Sequence, residues 1–159
     1  VYKRQVTGEP IQVRDRIGIL DRKLRIVSEN TQTEEDWLKW AIRAFQSTYG
    51  YEYQGDNVLL ARENLLFTFE DYMVNKFDKK PTLVQMKKIA NIVAWNIWQM
   101  DGITMTTPYS EAAPLHRQMT IFDYMNDNVE EEKVPMYSLI RDWRAEETIE
   151  FRSLMSEGY

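Results

Sequence analysis

Residues with catalytic chemistry are few in this chain, and they do not form a group. The lone histidine, His116, has no convergent ligands or nucleophile, so we interpret it as a solvated side chain. The acidic pairs Glu34/Glu35 and Glu70/Asp71 are adjacent in sequence and therefore point to different helix faces. The chain has no cysteine and no glycine-rich phosphate loop after a strand. The sequence therefore predicts no catalytic residue, no metal site and no cofactor site.

Basic side chains are concentrated around the first predicted helix, over residues 15–28. One face of this helix is apolar: Ile17, Leu20, Leu24 and Val27. The basic residues in and before the helix are Arg14, Arg16, Arg22, Lys23 and Arg25. Such a row can contact DNA phosphates. It can equally be a solvated face balanced by the neighbouring acids, and both interpretations stay open.

The longest apolar helical pattern follows an aromatic turn, and together they occupy residues 50–77. Asp56 is a natural N-cap for this helix, because its carboxylate can accept the first free backbone amides. The pattern contains three heptad rows: Val58/Leu65/Tyr72, Leu59/Leu66/Met73 and Leu60/Phe67/Val74. A helix that is apolar around most of its circumference is normally buried on several sides. We therefore predict that this is the central helix of the fold, with other elements packed on several of its sides.

Two further helices are predicted, one before and one after this central helix in the chain. Thr33 is predicted to cap a helix that runs to about residue 48, with these residues on its apolar side: Trp37, Trp40, Ala41, Ala44 and Phe45. Thr82 and Gln85 form a capping box for a helix that runs to about Asp101. The core stripe of that helix is Leu83, Met86, Ile89, Ala90, Val93, Ile97 and Met100.

Trp95 and Trp98 lie off the apolar stripe of the last helix. They either cap a groove or face a partner, or residues of the C-terminal tail fold over them. The sequence leaves these alternatives open.

The C-terminal part of the chain has a different character. Residues 103–136 lose helical periodicity and contain prolines and an acidic run, which predicts a flexible acidic connector. Residues 137–159 contain two short alternating segments around a charged turn, which predicts a β-hairpin docked on other structure. The predicted fold is therefore mainly α: a four-helix domain over residues 6–102, a flexible connector and a C-terminal β-hairpin.

The distribution of charge excludes one class of function. Residues 11–102 contain 13 basic and 13 acidic residues, whereas residues 103–159 contain 5 and 11. A free-standing, non-specific DNA-binding protein is usually basic, so this class is excluded. A neutral body remains compatible with one part of a DNA-binding protein. No apolar run is long enough for a membrane span and no signal peptide is visible, so we expect a cytoplasmic protein.

The first five residues, VYKRQ, match the in-frame translation of a transposon-based sequencing adaptor. We interpret residues 1–5 as such a scar, in which case the natural protein extends further towards its N-terminus. The alternative is an ordinary disordered N-terminus.

Four blocks of the chain resemble the C-terminal part of bacterial and phage restriction–modification DNA methyltransferases of the N6-adenine type, often described as restriction endonuclease subunit M. The blocks are RIGILDRKLRIVSEN (16–30), WAIRAFQSTYGYEYQGDNVLLARENLLFTF (40–69), IANIVAWNIWQMDG (89–102) and LIRDWRAEETIEFRSL (139–154). The resemblance implies a site-specific enzyme that binds DNA and S-adenosylmethionine. It also implies that this segment supports the catalytic domain or DNA binding.

The chain departs from that family in its catalytic motifs. Such enzymes hold a flipped adenine with an Asn/Asp-Pro-Pro-Tyr/Phe motif and bind S-adenosylmethionine on a separate glycine-containing loop. Neither motif occurs here, and the nearest string, Thr107-Pro108-Tyr109, lacks the acceptor and the second proline, so we interpret it as a turn. The resemblance therefore implies a non-catalytic segment that follows the missing N-terminal catalytic domain.

Candidate contact residues for DNA or for that domain come from the basic row and the aromatic turn. They are Arg14, Arg16, Arg22, Lys23, Tyr51, Tyr53, Gln54 and Asn57. The alternative function is a free-standing all-α protein-interaction module that binds through Trp95, Trp98 or the tail. A nuclease is disfavoured, because no carboxylate cluster with a nearby lysine on adjoining strands is visible.

A short motif in the connector resembles the peptides that bind the bacterial sliding clamp. Gln118 would form a hydrogen bond at the rim of the clamp pocket, while Ile121 and Phe122 would enter it. The alternative is that this segment folds back, for example over Trp95 and Trp98.

Overall fold

The fold is mainly helical and ends in an antiparallel strand pair, which confirms the predicted fold class. The computed structural model describes residues 7–9, 11–108, 110 and 135–156. The helices are α1 Ile19–Asn30, α2 Glu34–Gln46, α3 Gly55–Phe77, α4 Leu83–Asn96 and α5 Ser153–Ser156, and a 3-10 turn over Val13–Asp15 precedes α1. The strands are β1 Gly50–Glu52, β2 Ile97–Gln99, β3 Leu139–Asp142 and β4 Glu147–Glu150.

Helices α2 and α4 begin at the two caps that the sequence predicts. The Thr33 hydroxyl accepts a hydrogen bond from the backbone amide of Asp36 at 3.2 Å. At α4 the capping box is complete. The backbone N–H of Gln85 donates to the Thr82 hydroxyl at 3.3 Å, and the backbone N–H of Thr82 donates to the side-chain oxygen of Gln85 at 2.7 Å. Both helix starts are therefore fixed by local chemistry.

The main core lies between the four long helices and is rich in aromatic side chains. The Trp37 ring stacks on Phe69 and meets Phe77 edge-on, with 5.8 Å between ring centroids in both pairs. Leu24, Met73 and Ile89 are fully buried around them and come from α1, α3 and α4. Burial of such large apolar side chains is the main source of stability in this body.

Three residues that the apolar stripes place in the core are exposed, so these predictions are wrong. Ile17 precedes α1, which begins only after Gly18, and its side chain is 79% exposed. Trp40 lies at the edge of the buried face of α2 and is 51% exposed. Leu83 is the first residue of α4, beyond the end of the core, and is 69% exposed. The buried faces are narrower and shorter than the apolar patterns.

The central helix α3 is buried on one side only, contrary to the prediction. Its neighbours include α1, α4 and the strands β1 and β2, and α2 contributes the rings of Trp37 and Phe45 against Phe69. Together they cover the face that carries Phe69 and Met73. Leu59, Leu60 and Phe67 are 66%, 54% and 41% exposed. The predicted N-cap is also wrong, because the helix is preceded by Gln54, without a side-chain cap, and Asp56 lies in its first turn.

A parallel strand pair replaces two predicted features. Strand β2 begins where α4 ends, so the helix does not continue to Asp101, and β1 occupies part of the predicted aromatic turn. The register pairs Gly50, Tyr51 and Glu52 with Ile97, Trp98 and Gln99. Local periodicity carries no information about this pairing, since the two segments lie almost fifty residues apart.

The C-terminal hairpin docks on the helical body through a second, smaller core. Alternate residues of β2 face opposite sides, so Ile97 joins the main core while Trp98 packs with Ile140 and Phe151. The ring centroids of Trp98 and Phe151 are 5.5 Å apart. Tail residues therefore cover Trp98, as one of the sequence alternatives holds, whereas Trp95 remains 38% exposed.

Candidate functional site

Four candidate contact residues lie together at the N-terminal end of α3. Tyr51 belongs to β1, Tyr53 and Gln54 follow it, and Asn57 lies in the first turn of the helix. All four are exposed, and the Asn57 side chain donates a hydrogen bond to the Gln54 side chain at 3.2 Å. The surface there is a shallow, open depression of about 360 Å³, lined by Tyr53, Gln54, Gly55, Asp56 and Gln99.

The turn that presents these residues is held by contacts on both sides. The Glu52 carboxylate accepts hydrogen bonds from the backbone amides of Tyr53 at 2.9 Å and Gln54 at 3.3 Å. The Gln99 side chain donates to the Tyr53 carbonyl at 2.9 Å. Tyr51 packs so closely on Gly102 that a Cβ atom there would lie 2.9 Å from the tyrosine ring. The exposed side chains therefore project from a fixed backbone.

The charge at this turn is acidic. Glu52 and Asp56 lie within it, and the depression is lined by no lysine or arginine. A carboxylate near a helix N-terminus suits the positive end of the helix dipole but repels phosphate groups. The carboxylates of Glu52 and Asp56 therefore make this surface unfavourable for phosphate groups.

Two of the basic candidates are committed to contacts within the fold. Arg16 is buried, and its guanidinium donates to the Asp71 carboxylate at 2.7 Å and to the Ile11 carbonyl at 3.2 Å. The Lys23 ammonium donates to the Ser47 carbonyl at 2.7 Å and to the Ser47 hydroxyl at 2.8 Å. Burial lowers the pKa of Lys23 from its usual value. Arg16 therefore ties the segment before α1 to α3, and Lys23 ties α1 to the end of α2.

The other two basic candidates, Arg14 and Arg22, are exposed. The Arg14 side chain is 85% exposed and lies 3.9 Å from the Asp15 carboxylate, a contact too open to contribute much stability. Arg16 meets α3 at Asp71, which is about 24 Å along the helix from Gly55. The structure therefore places Arg16 far from the aromatic turn, whereas Lys23 contacts Ser47 and Thr48, which precede that turn in the chain.

Sequence reasoning missed Asn96 and Arg62, which connect the parts of the fold. The Arg62 guanidinium donates to the carbonyls of Ala94 at 2.9 Å and Ile97 at 2.8 Å, and so caps the end of α4. The buried Asn96 amide donates to three carbonyls at the end of α2: Phe45, Gln46 and Thr48, at 2.9, 3.1 and 3.1 Å. A detectable signal for Asn96 is its place as the single polar residue that continues the buried Ile89, Ile92 and Val93 stripe.

Several predictions concern residues outside the part of the chain that the structure describes. They are the proposed scar over residues 1–5, Tyr109, His116, and the clamp-peptide residues Gln118, Ile121 and Phe122. Among residues 7–9, 11–108, 110 and 135–156, no group of three or more acidic, histidine or cysteine side chains is placed to hold a metal ion. Within the same ranges no helix combines the length and apolarity needed to cross a bilayer.

No protein-family model matches the chain, and searches of curated proteins and of solved structures give no significant match.

Proposed function

We propose that this chain is the non-catalytic C-terminal segment of a site-specific DNA N6-adenine methyltransferase of a restriction–modification system. The observation that carries the proposal is the likeness of residues 40–69 to that part of the family. This block forms the second half of α2, strand β1 and most of α3, which follow one another along the chain. In the parent enzyme, S-adenosylmethionine and the target adenine bind to the N-terminal catalytic domain.

The surface chemistry favours a role in supporting the catalytic domain over direct contact with DNA. The exposed turn at Tyr51 and Tyr53 is acidic, and Arg16 and Lys23 bind groups of the fold itself. Among the candidates, Arg14 and Arg22 remain available for phosphate contacts. Two exposed arginines supply only a small part of the phosphate neutralisation that DNA binding requires.

The test is a methyl-transfer assay with the complete reading frame that contains this segment. We expect an Asn/Asp-Pro-Pro-Tyr/Phe motif upstream of Val6, and transfer of the methyl group from S-adenosylmethionine to adenine in duplex DNA. Replacement of the first motif residue by alanine should abolish transfer, while this chain alone should be inactive. A complete frame without the motif, or activity of this chain alone, would contradict the proposal.

The second candidate function is a free-standing protein-interaction module. It is favoured by the exposed apolar residues of α3, Leu59, Leu60 and Phe67, which a folded monomer normally buries when they occur together. A start codon near Val6, with no methyltransferase motif upstream, would support this alternative.

Binding to the sliding clamp stays a separate prediction for the connector. Ile121 and Phe122 are expected to enter the apolar pocket of the clamp, with Gln118 at its rim. In a pull-down with purified clamp, Phe122→Ala should reduce retention. Equal retention of the variant and the unchanged chain would rule out the motif.

A further inference from the structure

We propose that the solvent face of α3 docks a partner helix whose apolar stripe is flanked by lysine or arginine. The inference rests on the proposed function, in which that helix belongs to the catalytic domain. It assigns a surface that adjoins the aromatic turn at Asp56 and continues along α3, and it specifies the chemistry that the partner must present.

The docking face contains a straight apolar stripe. Leu60, Phe67 and Val74 follow one another at intervals of seven residues, so they lie on one line along about 21 Å of the helix. Leu60 and Phe67 are 54% and 41% exposed, and Leu59 lies beside them at 66%. A seven-residue repeat is the period at which two packed helices meet, so the stripe matches the seam that a partner helix requires.

The charge along the stripe is acidic. Asp56, Glu63, Glu70 and Asp71 share this side of the helix, whereas Arg62 is turned towards α4. Glu70 pairs with Lys80 at 2.9 Å and Asp71 pairs with Arg16 at 2.7 Å. Among the described residues, Asp56 and Glu63 form no ion pair. These two carboxylates are therefore available to lysine or arginine beside the partner's apolar residues.

The same charge argues against the other occupants of an apolar helix face. A second copy of this chain would bring identical carboxylates together across a symmetric interface, and like charges in such positions cost affinity. DNA phosphates and anionic lipid headgroups would meet the same repulsion. A basic amphipathic helix is the partner that gains from both the apolar stripe and the acidic flanks.

The experiment uses two synthetic helical peptides as probes. Both carry leucine at every seventh position; in one peptide lysine flanks the leucines, and in the other glutamate does. Titration followed by fluorescence anisotropy should show saturable binding of the lysine peptide and at least about tenfold weaker binding of the glutamate peptide. Added salt should lower the affinity of the lysine peptide. Equal binding of the two peptides would overturn the proposal.

Variants locate the binding surface. Phe67→Glu should weaken binding of the lysine peptide by at least about tenfold, and Glu63→Lys should weaken it at low salt. Leu83→Glu is the matched control, because Leu83 is an exposed leucine on α4, and it should leave binding unchanged. Urea unfolding verifies that each variant is folded. Equal effects of Phe67→Glu and Leu83→Glu would overturn the assignment.

The outcome can be separated from that of the proposed function. If the lysine peptide binds at α3 but the protein encoded by the complete reading frame transfers no methyl group, the docking surface is supported and the methyltransferase proposal is rejected. An active complete frame without peptide binding would reject only this surface. A dimer of the chain that Phe67→Glu dissociates, measured by analytical ultracentrifugation, would assign the face to a second copy and overturn the partner proposed here.

Discussion

Asn96 connects three parts of the molecule through one side chain. Its amide nitrogen donates to the carbonyls of Phe45, Gln46 and Thr48, and its oxygen accepts the indole N–H of Trp143 at 2.6 Å. Asparagine is the side chain that supplies donors and an acceptor at one position without charge. Its burial at the junction of α2, α4 and the hairpin therefore costs little, because its polar atoms have partners.

Replacement of Asn96 by alanine should destabilise the protein by about 2–4 kcal/mol, since the indole N–H of Trp143 and the carbonyls of Gln46 and Thr48 lose their hydrogen bonds to this side chain. Urea unfolding at neutral pH measures this change in the free energy of unfolding. Asn91→Ala, an exposed asparagine on the same helix, is the matched control and should change stability by less than about 0.5 kcal/mol. Equal effects at the two positions would contradict the role of Asn96.

Tyr72 makes the stability of the fold sensitive to alkaline pH. Burial raises the pKa of Tyr72 to about 12, with a further contribution from the Asp21 carboxylate, and its hydroxyl donates to the Asp21 carbonyl at 3.0 Å. In the unfolded chain a tyrosine ionises near pH 10. The folded pKa is the higher one, so its stabilising contribution is complete below pH 10 and is lost between pH 10 and about 12.

Tyr72→Phe tests this dependence, because phenylalanine cannot ionise. At pH 8 the variant should be less stable by about 1 kcal/mol, through loss of the hydrogen bond. As the pH rises from 10 towards 12, the stability of the unchanged protein should fall relative to that of the variant, until the variant is the more stable of the two. Urea titrations at pH 8, 10 and 11 provide the measurement. A difference that stays constant over this range would show that Tyr72 does not ionise in this way.

At the scale of elements, the starts of α2 and α4 were predictable, whereas the starts of α1 and α3 and the buried faces of the helices were not. The caps at Thr33 and Thr82 depend on residues three positions apart, so the sequence contains the whole interaction. Which side of an apolar helix is buried depends instead on where its neighbours lie. Trp40 and Phe67 belong to apolar patterns as regular as those of the buried Trp37 and Met73, yet they are exposed.

The two tryptophans of α2 test the assignment of buried and exposed faces. Trp37 is fully buried against Phe69 and Phe77, so Trp37→Ala should cost about 3–5 kcal/mol of unfolding free energy. Trp40→Ala removes the same side chain from an exposed position and should cost less than about 1 kcal/mol. The two changes are compared by urea unfolding. Similar costs would mean that the buried face of α2 is assigned incorrectly.

The end of α4 shows why some elements escape sequence reasoning. The apolar stripe continues through Ile97 and Met100, so periodicity alone predicts a helix to Asp101. Ile97 and Trp98 instead pair with β1 in a parallel strand. The Arg62 guanidinium caps the C-terminal end of α4, which lies directly before this strand. The strand pairing that competes with the helix involves residues almost fifty positions earlier in the chain, so local periodicity does not predict it.

At the scale of the whole molecule, the hairpin and the helical body form one structure through shared contacts. Trp98 and Phe151 belong to a common core, and the Tyr49 hydroxyl donates to the Arg141 carbonyl at 2.9 Å. The sequence predicted that the hairpin docks, because an isolated hairpin is marginal in water. It did not predict the docking residues, since these positions are set by the β1–β2 pairing.

The candidate site was predictable only in part, for a similar reason. The aromatic turn is visible in sequence because Tyr51, Tyr53 and Gln54 are neighbours. The internal contacts of the basic row were not predictable from the sequence. The ion pair of Arg16 with Asp71 and the hydrogen bond of Lys23 with Ser47 depend on how the first part of the chain packs on the other elements. The outward row of α3 became recognisable as a surface only once its neighbours were placed.

The proposed role of this chain is to support the catalytic part of an adenine methyltransferase. The most direct measurement is methyl transfer to duplex DNA by the upstream part of the reading frame, with and without this chain added as a separate polypeptide. We expect low activity from the upstream part alone and recovery on addition of the chain, with Phe67→Glu restoring less than Leu83→Glu. Full activity of the upstream part without this chain would contradict this role.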